Sequence, residues 1–358
     1  MDIHHENTFE IGIYTLGDIV ADPYTGKSNN AKQRIHEIID AAKLADEAGL
    51  DIFGVGEHHR LDYAVSSPQM VLSAMAQVTK NIKLTSTTTV LNTIDPVRLF
   101  EDFATLDLIS NGRAEIIAGR GAFVESFPLF GYRLDDYDAL FEEHLQLLME
   151  LNENERVTWS GKYRSELKDS EIAPRPHQEK LPISVGVGGS PESAARAGRY
   201  GLGLTIAMIG GFHTRFAPLV DAYHQAGYLA GYEKAELPIG ITGHGYIAQT
   251  KEKAKEEFYP YYANYMKYMN QQRGIETTIT REEFEKITEP QSVMFIGSPE
   301  DIIEKILYQH EMFGHRRFML QMDIGGVPFK NIEKTIELLG TEVAPVIRRE
   351  TSGKLMEV

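Results

Sequence analysis

Short apolar runs rich in β-branched residues alternate with longer segments of helical periodicity along most of the chain. The run Phe9–Thr15 is followed by Ala31–Gly49, in which Ile35, Ile38 and Ile39 fall on one helical face. Such alternation predicts parallel strands joined by helical crossovers. The later runs that predict strands are Asp51–Gly56, Ile82–Leu91, Arg113–Ala118, Pro182–Val187, Leu202–Ile206, Ile239–Ala248 and Arg316–Met322.

Two connections between predicted strands, Gly121–Leu181 and Thr250–Gly297, are longer than one helix requires. Eight strands with these two excursions fit a chain of 358 residues. We therefore predict an α/β fold, a (β/α)8 TIM barrel with insertions after strands 4 and 7, as one domain over residues 1–358. A doubly wound open sheet is the alternative architecture. Residues 250–297 form either a lid over the site or a helix pair packed on the surface.

Composition narrows the class of protein further. The chain is 42% hydrophobic and carries a net charge of −16, which argues against binding to nucleic acids or anionic membranes. It has no cysteine, so disulfides, thiolate metal sites and cysteine nucleophiles are excluded. No stretch approaches the roughly 20 apolar residues of a membrane span, and Met1–Glu6 lacks the order of a secretory signal. We expect a cytoplasmic protein.

Chemistry in a parallel barrel is found at the carboxyl ends of its strands. The second predicted strand ends in Glu57, His58 and His59. A histidine here can exchange protons near neutral pH or bind a metal ion. Because adjacent side chains on a strand point to opposite faces, both rings would not readily reach one ion. Because the pair closes an apolar strand at the predicted functional rim, we expect at least one of these histidines to act in the site, and a structural histidine is the alternative.

Two further strand ends carry weaker signals. Thr87 and Thr88 lie in a run of hydroxyl residues that could bond a polar ring, although threonine is common in strands for other reasons. Arg120 lies between Gly119 and Gly121 after the fourth strand. Its guanidinium can donate two parallel hydrogen bonds to a phosphate. The alternative interpretation is an arginine in a surface turn.

A glycine-rich segment, Gly186–Ser193, joins the fifth strand to a short helix. Gly188 and Gly189 expose backbone N–H groups, and Ser190 and Ser193 add hydroxyls at the positive end of the helix. These residues predict an anion site, most plausibly for phosphate, and ordinary helix capping is the alternative. No G-x-G-x-x-G follows the first strand, so a nicotinamide dinucleotide fingerprint is absent.

Taken in order, these motifs resemble the bacterial luciferase-like monooxygenase family, and the resemblance covers nearly the whole chain. It depends on Glu57–His59, Leu91–Arg98, Ser110–Arg113, Gly119–Gly121, Tyr200–Leu202 and Ile296–Asp301. The resemblance implies a flavin-dependent monooxygenase that oxidises a small organic substrate with O2. Reduced FMN would be the cosubstrate, supplied by a separate flavin reductase. An F420-dependent oxidoreductase of the same fold and a metal-dependent barrel hydrolase remain as alternatives.

The resemblance also implies roles for particular residues. His58 matches the family's catalytic histidine, which handles protons near the flavin. Thr87 and Thr88 match a pair that is often joined by a cis peptide bond beside the flavin ring. The matches to the phosphate site are Arg120, Gly188, Gly189, Ser190 and Ser193, with no metal.

Two other expectations follow from the family. Members commonly form homodimers through the helices after strands two and three, which are Pro68–Lys80 and Pro96–Ser110 here. Gly119 stands where the luciferase α subunit has a reactive cysteine, so light emission is not expected.

Overall fold

The computed structural model describes residues 8–121, 123–271 and 274–352. Within these ranges, eight parallel strands form a closed barrel, because the last strand pairs with the first. The predicted (β/α)8 barrel is therefore confirmed, and the open sheet is excluded. The strands are β1 Glu10–Thr15, β2 Ile52–Val55, β3 Lys83–Ser86, β4 Ala114–Gly119, β5 Ile183–Val187, β6 Gly203–Met208, β7 Ile239–Ile247 and β8 Arg317–Gln321.

A helix follows each barrel strand and packs outside it. Side-chain oxygens of Asn30, Asp95, Ser190 and Ser298 accept backbone N–H groups at four of the helix starts, which satisfies donors that lack a partner within the helix. The helices are α1 Ala31–Glu47, α2 Pro68–Val78, α3 Pro96–Ser110, α4 Tyr137–Glu153, α5 Pro191–Arg199, α6 Ala217–Ala230, α7 Pro299–Phe313 and α8 Phe329–Leu338. A π-helical turn, Leu339–Val343, and a last helix, Ala344–Ser352, follow α8.

Both predicted insertions are present. Between β4 and β5 the chain adds a short helix, Ser126–Phe130, and a two-stranded antiparallel hairpin. The hairpin strands are Arg156–Trp159 and Leu167–Glu171. Between β7 and α7 it adds the helices Lys251–Gln271 and Arg281–Ile287 and the strand Phe295–Gly297, which pairs with β7. No helix in the described ranges is both long and apolar enough to cross a membrane.

Most predicted strands agree with the structure to within one or two residues, and the third strand differs most. The third strand does not run unbroken over Ile82–Leu91: β3 ends at Ser86, and a short strand, Thr89–Val90, pairs with β4 instead. In the first insertion, α4 begins at Tyr137, directly after a 3-10 turn over Leu134–Asp136.

The barrel interior has its own small apolar cluster, formed by Tyr14, Ile52, Ile117 and Met319. Below this cluster, at the amino-terminal end of the strands, charged side chains fill the interior. The Arg317 guanidinium contacts Glu115 at 2.6 Å and also bonds Glu10, and Lys83 bonds both carboxylates. This ionic floor closes one end of the barrel, so the carboxyl end is left as the mouth.

The ionic floor predicts an acid-sensitive contribution to stability. Burial raises the pKa of Glu115, but the charges of Arg317 and Lys83 outweigh burial and lower it from 4.5 to about 2. The stabilisation of the fold by ionised Glu115 is therefore complete above a pH of 4.5, and it is lost as the pH falls from there towards 2. Glu115→Gln should lower the free energy of unfolding at neutral pH by about 3 kcal/mol and flatten its acid dependence, measured by denaturant unfolding across pH.

The matched control is Asp169→Asn, which weakens the exposed ion pair between Arg156 and Asp169. Because water screens exposed pairs, this change should alter the free energy of unfolding much less than Glu115→Gln does. Equal effects of the two substitutions would contradict the role assigned to the floor.

Candidate active site

His58 lies at the mouth, directly beyond β2, and its side chain is buried. Its Nδ1 is 3.2 Å from Oε1 of Glu125, which precedes the short helix Ser126–Phe130. The imidazole stacks on the ring of Tyr63, with centroids 4.1 Å apart, and meets the edge of Phe123 at 5.3 Å. Packing on both sides fixes the ring, and the Glu125 contact leaves Nε2 as the nitrogen that can act on a bound molecule.

The Glu125 carboxyl is suited to remain ionised beside His58. Burial raises its pKa, but the hydrogen bond with His58 and bonds from backbone N–H groups outweigh burial, so the pKa is below its usual range. Its second oxygen, Oε2, is buried without a hydrogen-bond partner. A carboxylate in this position orients the imidazole through Nδ1.

The neighbouring histidine has a different partner. His59 Nε2 lies 2.8 Å from Oε1 of Glu57, and Oε2 of Glu57 accepts the backbone N–H of Val90 at 3.0 Å. His58 and His59 therefore bind separate carboxylates, as their adjacent positions lead one to expect. In the described parts of the chain, no three histidine or carboxylate side chains are grouped so that they could hold a metal ion.

The Thr87–Thr88 peptide bond is cis, as the family resemblance implies. Glycines on neighbouring strands make room for both side chains: a Cβ at Gly54 would lie 1.8 Å from Thr87 Oγ1, and one at Gly119 would lie 2.3 Å from Thr88 Oγ1. The Thr87 hydroxyl is buried and has no hydrogen-bond partner. It is therefore a polar group that a bound ring could satisfy.

Arg120 and the start of α5 come together at the ends of β4 and β5. Arg120 Nη2 donates to Ser193 Oγ at 2.5 Å, and its Nη1 pairs with the exposed carboxylate of Asp138. The guanidinium also lies over the ring of Tyr137, 5.0 Å from its centroid. Arg120 thus contacts the helix start at which the sequence predicts an anion site, and it is not an isolated arginine in a surface turn.

The loop before α5 is open enough to admit a phosphate. A Cβ at Gly188 would meet no atom within 4 Å, and one at Gly189 would approach only the Arg215 guanidinium, at 3.8 Å. Ser190 Oγ accepts the N–H of Ser193 at 3.2 Å, so its capping role is real as well. Hydroxyls, a guanidinium and a helix start beside empty space fit the phosphate of a flavin nucleotide.

The structure groups the predicted residues into two sets and adds several that the sequence did not reveal. Arg120, Ser190 and Ser193 are in contact, whereas His58 belongs to a separate set with residues of the first insertion. The residues missed by sequence analysis are Tyr63, Glu125, Asp138 and Arg215. A charged residue near a helix start or in a loop has ordinary local explanations, so nothing in the sequence distinguished them.

Comparison with known proteins identifies the family. The luciferase-like monooxygenase family model matches residues 9–316. The oxygenase component of a flavin-dependent trigonelline monooxygenase from Acinetobacter baylyi is 24% identical over 333 residues, which are 88% of this chain and 90% of that protein. An F420-dependent glucose-6-phosphate dehydrogenase from Amycolatopsis mediterranei is 31% identical over 176 residues, 47% of this chain and 52% of that one.

Solved structures show the same fold. The oxygenating constituent of 3,6-diketocamphane monooxygenase from Pseudomonas putida, determined with FMN, superposes with a TM-score of 0.75 at 20% identity. The match covers 94% of this chain and 98% of that one. With a family match over most of its length and the same barrel, the chain belongs to the luciferase-like monooxygenase family.

Proposed function

We propose that this protein is an FMN-dependent monooxygenase, which oxidises a small organic substrate with O2 and takes reduced FMN from a separate reductase. The observation that supports this most is the contact between Arg120 and Ser193 at the open start of α5, because it offers a charged grip for a phosphate. A relative that is named as an oxygenase component supports the separate reductase.

In this proposal, different residues at the mouth bind the phosphate, contact the flavin ring and transfer a proton. Arg120, Ser190, Ser193 and the backbone of Gly188–Gly189 would hold the phosphate, and Thr87–Thr88 would lie beside the flavin ring. Reduced FMN, when bound, supplies the electrons that activate O2. His58 exchanges a proton through Nε2 with the reacting groups, while Glu125 keeps the imidazole oriented through Nδ1.

The insertion between β7 and α7 is proposed to cover the mouth. Its helix Lys251–Gln271 packs on the turn after β8, where Asn264 Nδ2 donates to the carbonyl oxygens of Ala21 and Gly325 at 2.8 and 3.0 Å. Tyr265 of the same helix meets the ring of His244 edge-on, 5.4 Å between centroids. A cover of this kind would keep water from the reacting groups.

We also propose that the protein forms a homodimer through α2 and α3. These helices pack against each other and expose large apolar side chains to solvent, including Met70 at 73% and Leu108 at 45% of full exposure. Val78 and Ile109 are further exposed apolar residues of the same two helices. Exposed apolar side chains on two helices that pack together can form an interface between subunits.

An F420-dependent reaction is the second candidate, and the similarity to an F420-dependent dehydrogenase over 47% of the chain supports it. The two candidates differ in whether oxygen enters the product.

We expect protein supplied with reduced FMN and isotopically labelled O2 to incorporate label into one member of a panel of aldehydes, amines, sulfur compounds and aromatics. Mass spectrometry of the products measures this, with reduced or oxidised F420 supplied in parallel under argon.

His58→Ala should lower the rate of labelled product by about a hundredfold or more, because a positioned proton donor and acceptor is lost. The affinity for FMN should stay the same, since His58 is not part of the phosphate grip. Turnover with F420 in the absence of oxygen, and none with FMN, would contradict the monooxygenase proposal.

Arg120→Ala tests the phosphate grip directly. The dissociation constant for FMN should rise by about tenfold to a hundredfold, because a charge-assisted hydrogen bond is lost. Riboflavin has no phosphate, so its dissociation constant should be unchanged. Both are measured by quenching of flavin fluorescence, with Arg133→Ala as the matched control, because Arg133 pairs with Asp135 on the surface. Equal losses for FMN and riboflavin would contradict a phosphate contact at Arg120.

The dimer is tested by placing charges on its proposed interface. Met70→Glu combined with Leu108→Glu should convert the dimer into a monomer, because both carboxylates would lose water in the interface. Size-exclusion chromatography with light scattering measures the mass. Leu229→Glu, at an exposed position on α6, is the control and should stay dimeric. A monomeric parent protein would reject the proposal.

A further inference from the structure

A set of polar side chains lines the barrel interior on the side opposite Thr87–Thr88 and Arg120. His244 on β7 pairs in register with Gln321 on β8, and two residues earlier Thr242 pairs with Met319. Met319 belongs to the interior cluster, and side chains alternate along a strand, so His244 and Gln321 also point inward. Around the barrel, β7 and β8 lie four strands from β3 and β4, respectively.

These side chains are buried but incompletely hydrogen-bonded. His244 is 3% exposed and its Nδ1 has no partner, and Gln321 is 1% exposed and its Oε1 has none. Thr87 Oγ1, also unpartnered, reaches into the same interior, because a Cβ at Gly54 would lie close to both this atom and Met319 Cε. Buried polar atoms without partners are uncommon, and several together suggest groups that a ligand satisfies.

The set carries no charge of its own. Burial lowers the pKa of His244 to about 4, and the interaction with Gln321 opposes this only in part, so the imidazole is neutral at neutral pH. Burial also raises the pKa of Tyr14, which lies beside this set on β1 and hydrogen-bonds Thr242, so its phenol stays protonated. These side chains are thus uncharged, whereas the Arg120 guanidinium carries a positive charge.

We propose that His244 and Gln321 form a second binding site in the mouth, which takes an uncharged hydrogen-bonding group such as a carbonyl, an amide or a hydroxyl. Neutral imidazole and carboxamide groups can each donate and accept, so they match a neutral polar group and give no ionic attraction to an anion. Tyr265 contributes an aromatic wall beside His244. The inference rests on the proposed function for its location beside a flavin, and it assigns the group to the organic substrate.

The flavin ring presents the same neutral chemistry at its carbonyl and N–H edge, so the experiment separates the two sources. The variants are His244→Phe and Gln321→Met, which keep much of the volume and remove the polar atoms. The matched control is His315→Phe, which replaces another fully buried histidine, packed against Phe9 before β8. Circular dichroism and thermal unfolding show whether each variant folds.

Dissociation constants for FMN and riboflavin are measured first by fluorescence quenching. Benzamide, benzyl alcohol, benzoate and benzylammonium are then titrated into FMN-saturated protein and followed by ligand-detected NMR. We expect the two neutral probes to bind parent protein and the His315 variant, and to bind the His244 and Gln321 variants at least tenfold more weakly. Flavin affinity should be unchanged in every variant.

If both flavins lose affinity equally in the His244 and Gln321 variants, the assignment to the substrate is overturned, and the flavin ring is the occupant of the neutral site. Preference for benzoate or benzylammonium, absence of binding by all four probes, or equal binding in parent and variants would overturn the inference. If parent protein does not bind FMN, the proposed function fails separately. The four probes are then titrated into flavin-free protein, and the same outcomes decide the inference. Should one variant fail to fold, the other decides.

Discussion

A closed barrel gives each strand one inward and one outward face, and the position of the polar groups in this protein follows from that constraint. At the amino-terminal end, inward Arg317 and Glu115 satisfy each other and fill the interior. Apolar side chains cover this ionic floor. Polar groups that lack partners can therefore meet a ligand only near the mouth, where Thr87, His244 and Gln321 lie.

Glycines at inward positions determine what the mouth can hold. Gly54 and Gly119 have no side chains that would collide with Thr87 and Thr88, and Gly186 makes room for the methyl group of Thr88. The β3 side of the mouth is thus built from two threonines fitted against neighbouring backbones. Arg120 lies beyond β4 and His58 beyond β2, so this side also carries the residues proposed for phosphate binding and proton transfer.

The strands could be predicted from the sequence because each is a short β-branched run followed by a helical segment, a local pattern that the fold preserves. The predicted strand Ile239–Ala248, for example, differs from β7 by one residue. The break in the third strand was not predicted as a boundary, since threonines favour a continuous strand. His58 and Arg120 were identified because they follow strand ends directly.

Residues whose roles depend on distant contacts were not found in this way. Glu125 meets His58 across 67 positions of the sequence, and Asp138 has the local character of a helix-start acid although it pairs with Arg120. His244 escaped notice because it lies within a strand and not after one. Its importance comes from the register with Gln321 and from burial, and neither is visible in a single sequence.

The two sides of the mouth come from different parts of the chain. This difference would separate binding of the cofactor from selection of the organic substrate. Arg120 and Ser193, the residues proposed to bind a phosphate, belong to the barrel connections β4–α4 and β5–α5. The neutral side includes Tyr265, which comes from the insertion before α7. Under the two proposals, Tyr265 of the insertion borders the neutral site, and the residues named for the phosphate site all lie outside the insertion. Changes within the insertion would then alter which organic group is accepted without weakening phosphate binding. A luciferase-like barrel can thus keep one cofactor while its insertion changes the substrate.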